Sequence, residues 1–137
     1  METKSLSEST ICCFGDSTTW GDNGCGGGGN DISWTSHLGA LLGGTVVENF
    51  GIKGSRIAIK ADRTDSFVER LDGIDDAADI YIVFGGVNDF SRNVPLGELG
   101  STDVHEFYGA LDYLIRTITA RSPRAKLCLL YTSDAAD

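Results

Sequence analysis

Two hydrophobic rhythms alternate along this chain, and that alternation limits its folds more than any other feature. Four short runs, residues 10–14, 45–50, 79–84 and 126–131, are rich in strand-forming residues and bounded by Gly, Asp, Asn or Ser, the pattern of buried strands. Their near-continuous apolar character suits parallel strands covered on both faces, because a strand with one wet face would alternate. Between them the apolar spacing lengthens to that of helices. Trp34, Leu38, Leu41 and Leu42 recur at helical intervals behind a Ser33 cap, and Gly43 with Gly44 supplies the stop. A shorter helix is expected over residues 66–71 behind Thr64 or Asp65. The clearest has Asp103 and Glu106 in capping-box spacing, then Phe107, Leu111, Leu114, Ile115 and Ile118 along one face, with Pro123 beyond its end. The order β-α-β-α-β-α-β predicts an open, doubly wound α/β sheet that binds ligands at the carboxyl ends of its strands.

A length of 137 residues matches one domain, and no internal repeat or linker divides it. No apolar run approaches the roughly 20 residues of a membrane span. The polar start METKSLSEST has no secretory pattern, so the expected location is the cytoplasm. A net charge of −9 repels phosphate backbones and anionic membranes, which argues against nucleic acid as a partner. Cys12, Cys13, Cys25 and Cys128 contain no C-x-x-C pair and no histidine at metal spacing. They are expected to be reduced thiols, with Cys12, Cys13 and Cys128 in strands.

Three motifs follow three of the strands: GDS at 15–17, NFGIKGS at 49–55 and GGVND at 85–89. A parallel sheet brings all three to one edge, although they are far apart in sequence. Their chemistry fits acyl transfer, which needs a nucleophile and donors aimed at the oxyanion, one such donor being worth about 3 kcal/mol. Ser17 supplies a hydroxyl and a backbone N–H. Gly54 has no side chain to obstruct a substrate, so its N–H can be a second donor. Asn88 offers a neutral amide as a third. Asp16 and Asp89 border the site and are assigned to loop hydrogen bonding. For each motif there is an ordinary alternative: Asp-Ser after a strand is common turn chemistry, Asn88 can cap a turn, and Gly54 can permit a tight loop.

The set GDS, NFGIKGS and GGVND resembles the first three sequence blocks of the SGNH hydrolases, also called GDSL esterases and lipases. The resemblance covers residues 10–130 and implies a flavodoxin-like three-layer α/β/α sandwich with a five-stranded parallel sheet. It implies Ser17 as nucleophile, with the Ser17 backbone, Gly54 and Asn88 as the oxyanion hole. The implied substrate is a small-molecule carboxylic ester (a lipid, an acylated sugar or a thioester), with no metal or organic cofactor. The family's fourth block, an Asp-x-x-His that supplies the general base, has no counterpart here. Without an imidazole, a serine hydroxyl is a poor nucleophile at neutral pH. His37 in the first helical segment and His105 in the first turn of the long helix are read as surface or packing residues rather than as that base.

The stretch LYTSDAAD resembles translated adapter sequence more than the end of a domain. The expectation is one SGNH-like domain lacking its final strand and helix, with residues 132–137 foreign to it and little or no turnover. Two other classes fit parts of the sequence. Gly24, Gly26 and Gly29 match G-x-G-x-x-G, and Glu48 stands about where a dinucleotide site holds its ribose-binding acid. Against this, the glycines begin ten residues after Phe14 rather than directly after the strand, and are read as a flexible surface loop. The other class is a non-catalytic module in which Ser17 only grips a ligand. Trp20, beside the serine, is assigned to the core.

Overall fold

A computed structural model describes residues 4–131. Strands β1 (Thr10–Gly15), β2 (Val46–Gly51), β3 (Ile80–Phe84) and β4 (Lys126–Leu130) form one sheet in the order β2-β1-β3-β4. Every pairing is parallel, and Gly15 is in register with both Gly51 and Phe84. The strand ends that carry the three motifs therefore lie side by side. With β1 central and successive strands stepping to either side of it, the order is that of flavodoxin-like sheets, whose switch point lies between β1 and β3.

Helices cover both faces. On one, Cys12, Phe14, Tyr81 and Val83 project into a core completed by Phe67 and Leu71 and by Ala110, Leu114 and Ile118. These come from α3 (Phe67–Arg70), the turn after it, and α5 (Phe107–Arg121). On the other face lie α1 (Ser17–Trp20) and α2 (Trp34–Leu41), which pack on β2, with the Trp34 ring set edge-on to Phe84. A further short helix, α4 (Val87–Ser91), follows β3. The architecture is thus the three-layer α/β sandwich expected. β4 forms an edge and leaves Leu129 and Leu130 largely open. No helix among the described residues is long and apolar enough to cross a membrane.

Several local expectations change. Ser33 caps α2 as read, accepting the Thr35 N–H. The cap of α3 is Ser66 rather than Thr64 or Asp65, because Ser66 and Glu69 close a reciprocal capping box. Asp103 and Glu106 do not form one, since α5 begins only at Phe107. The Asp103 carboxylate instead accepts the His105 N–H, and Glu106 accepts the Ser101 hydroxyl. His105 consequently precedes the helix. Trp20 is half-buried rather than in the core, with the Lys53 ammonium 4.9 Å above its ring. Cys12, Cys13 and Cys128 lie in strands, and all four thiols are free. The proposed foreign tail, 132–137, lies outside the described residues.

Candidate active site

Ser17 opens α1 immediately after β1. The chain turns there because Asp16, almost fully buried, accepts the Thr18 N–H at 3.1 Å and so caps the helix. Gly21 ends α1 one turn later. Among the described residues, no hydrogen bond uses either the hydroxyl or the backbone N–H of Ser17. A partly exposed hydroxyl and a free amide thus stand at the edge of the sheet.

Gly54 lies in the loop after β2. Its φ of +76° is left-handed, which favours glycine, and a Cβ there would displace the Arg63 guanidinium. Its N–H also enters no hydrogen bond among the described residues. The loop is tied to the first motif by the Ile52 N–H, which donates to the Gly15 carbonyl at 3.1 Å. Asn49, at the start of the second motif, donates to the Thr19 carbonyl at 2.8 Å and accepts the Gly51 N–H at 2.9 Å.

Asn88 sits in the first turn of α4. Its Nδ2 donates to the Ser55 carbonyl at 3.0 Å and lies 3.5 Å from Asp16 Oδ2, at the limit of a hydrogen bond. One side chain therefore touches the residue after Gly54 and the residue before Ser17. Asp89 faces inward and accepts the N–H groups of Ile57 and Ala58. Burial pushes the carboxyls of Asp16 and Asp89 above the ordinary range, while the backbone N–H groups they accept pull the other way. Both serve the structural role read for them.

Two arginines hold this edge together, and nothing in the sequence marked either one. Arg70 donates to the Gly15 and Phe50 carbonyls at 2.9 and 2.8 Å, to the Asp65 carbonyl and to the Ser55 hydroxyl. Its guanidinium stacks 4.7 Å from the Phe14 ring centre, and burial lowers its pKa to about 10. Arg63 grips the Lys53 carbonyl. Apart from the Arg70–Asp65 bond, these contacts join residues 10 to 55 positions apart, beyond the reach of any local pattern.

An apolar cleft of about 540 Å³ opens beside the site. Asp16 and Thr18 on one side and Gly86 and Val87 on the other border it, with Phe84 and Phe107 among its walls. Neither histidine hydrogen-bonds to Ser17. His37 is exposed on α2, and His105 is exposed and pairs with Asp103 at 2.9 Å. The glycine-rich loop is exposed and closed on itself, with the Asn23 N–H on the Gly27 carbonyl and the Gly29 N–H on the Gly21 carbonyl. It leads into a three-residue 3-10 turn, not a helix whose N-terminus could hold a phosphate. Glu48 has the Asp75 carboxyl as its neighbour.

The sheet order and the three loops define an α/β protein with its ligand edge at the β1–β3 switch point. Residues 13–136 match the model of the GDSL-like lipase/acylhydrolase family, and the chain belongs to that family. A crystal structure 92% identical to it superposes with a TM-score of 0.91, covering 93% of this chain and 58% of the other. A protein from Lactobacillus plantarum is 31% identical, with a TM-score of 0.77 over 93% of this chain and 57% of its own. A proposed GDSL-like lipase from Bacteroides ovatus shares the fold at 22% identity, with a TM-score of 0.72 over 91% of this chain and 73% of its own. No curated protein matches. The chain spans a little under three-fifths of the first two solved relatives.

Proposed function

We propose that this chain carries the nucleophile and oxyanion hole of a serine hydrolase acting on carboxylic esters of small molecules. The Ser17 hydroxyl oxygen attacks the ester carbonyl. The oxyanion so formed accepts from the Ser17 N–H, the Gly54 N–H and Asn88 Nδ2. Collapse of this intermediate expels the alcohol and leaves an acyl group on Ser17, which water then removes. What supports the reading above all is that, among the described residues, the Ser17 hydroxyl, the Ser17 N–H and the Gly54 N–H have no hydrogen-bond partner, while the Asn88 amide binds the carbonyl of Ser55, next to Gly54. The names GDSL-like lipase, arylesterase and carbohydrate esterase among the structural neighbours agree with an ester substrate.

The step that removes the Ser17 proton needs a base, and no described histidine bonds to this hydroxyl. In this proposal the base comes from polypeptide beyond these 137 residues, which the greater length of the solved relatives accommodates. The 137-residue chain then turns over little or no ester. Joined to the remaining sequence of the 92% identical relative, it is expected to hydrolyse a short-chain aryl ester and to lose that activity in Ser17→Ala. Full activity in Ser17→Ala would end the proposal. Failure of the joined protein to react with a fluorophosphonate at Ser17 would favour a binding module instead.

A further inference from the structure

We propose that Arg63 is a positioning residue for this chemistry, setting the aim and donor strength of the Gly54 N–H through the other end of the same peptide group. The inference rests on the reading of Gly54 as an oxyanion donor. Arg63 Nη2 donates to the Lys53 carbonyl at 2.8 Å. That carbonyl and the Gly54 N–H belong to one planar trans peptide, so they point in opposite directions, and whatever fixes the oxygen fixes the N–H. A charge-assisted bond to the oxygen also draws electron density from the peptide, which makes its N–H a better donor.

Arg63 is itself braced. Its Nε donates to Asp65 Oδ1 at 2.9 Å, and Nη2 reaches the other carboxylate oxygen. The guanidinium in turn holds the Asp65 carboxyl below its ordinary range. The Asp65 carbonyl accepts from the Ser55 hydroxyl and from Arg70, which also binds the Gly15 carbonyl two residues before Ser17. The bracing thus runs from Arg63 to the base of the nucleophile turn. At the other end of Lys53, the ammonium is anchored on Asp22 at 3.0 Å. With the side chain and carbonyl of residue 53 both held, the peptide that carries the Gly54 N–H has little freedom to rotate. The absence of a Cβ on Gly54 is what gives the guanidinium room to lie there. Only a planar fork can bridge Asp65 and the Lys53 carbonyl together, so lysine would do this incompletely.

The test uses the isotopically labelled 137-residue chain and methylboronic acid, which bonds through boron to the Ser17 hydroxyl oxygen, gives up the hydroxyl proton to solvent and presents an oxygen to the hole. In Arg63→Met the Lys53 carbonyl carbon and the Gly54 amide proton are expected to move upfield while the Asn88 side-chain amide stays in place. Affinity for methylboronic acid should fall about tenfold, a fraction of the hundredfold or more that deleting a whole donor costs. Arg63→Lys should recover part of that loss. Asp65→Asn keeps the arginine but loosens it, and should act in the same direction if Arg63→Met does not fold. Unmoved Lys53 and Gly54 signals, or unchanged affinity in folded variants, would overturn the proposal. So would shifts of Asn88 as large as those of Gly54, because they would mark a general loss of structure. If methylboronic acid bonds to no form of the chain, which lacks a base for the Ser17 proton, the Lys53 and Gly54 signals alone decide the role of Arg63, and the reading of Ser17 is decided by fluorophosphonate labelling of the joined protein.

Discussion

The carboxylate of Asp89 accepts the backbone N–H of Ile57 at 2.8 Å and, through its other oxygen, that of Ala58 at 2.9 Å. This joins the helix bearing Asn88 to the chain just beyond Gly54 and Ser55, so the third motif is fastened to the second by the residue next to Asn88. Replacing Asp89 by Ala leaves two buried N–H groups without partners, at about 1–3 kcal/mol each. Thermal melting should register a loss of roughly 2–5 kcal/mol, with a smaller loss for Asp89→Asn, which keeps one acceptor oxygen.

Arg70 is expected to be as costly to remove. Its guanidinium satisfies three backbone carbonyls and the Ser55 hydroxyl while lying on Phe14 and Phe67. Arg70→Met keeps the stacked stem and loses every donor. Urea unfolding should show a loss of about 3 kcal/mol or more, and the Gly15 and Phe50 amide neighbourhoods should exchange hydrogen faster.

Ser17→Ala should behave in the opposite way. Its hydroxyl has no hydrogen-bond partner among the described residues, so the melting curve should move by no more than about 0.5 kcal/mol. A large shift would mean that the hydroxyl is holding structure rather than waiting for substrate.

Stability should fall as pH rises across one particular window. Glu48 Oε1 is buried without a partner among the described residues. Burial, together with the neighbouring Asp75 carboxyl, pushes the Glu48 pKa up to about 7 from an ordinary 4.5. The folded chain therefore holds this proton where the unfolded chain releases it. The contribution is fully present below pH 4.5 and is lost as pH rises through about 7. Denaturation measured at pH 5 and pH 8 should show about 1–2 kcal/mol of this loss after allowance for partial exposure. Glu48→Gln should flatten the curve, and an unchanged pH dependence would show that another group carries it.

The strands, the parallel sheet and the motifs that carry the candidate site were legible in the sequence because each depends on neighbours a few positions away. Apolar runs show strands, and a glycine beside a serine at a strand end shows a tight turn. Helix starts were less legible. Asp103 and Glu106 had capping-box spacing, but the Asp103 carboxylate is taken by the His105 N–H and Glu106 by Ser101, so the helix begins later. Trp20 looked like a core residue until Lys53 covered its ring from a different loop.

Composition and periodicity were enough to determine the alternation of strand and helix, and with it the edge where Ser17, Gly54 and Asn88 lie, because hydrophobic patterning is local and a parallel sheet has one carboxyl end. What only the tertiary structure decided is how that edge is held. Arg63 on the Lys53 carbonyl, Arg70 on Gly15 and Asp89 on Ile57 are bonds between side chains and backbone atoms of distant segments. A backbone carbonyl or N–H is chemically the same in every residue, so no sequence pattern identifies which one an arginine or aspartate will reach until the chain has folded around it.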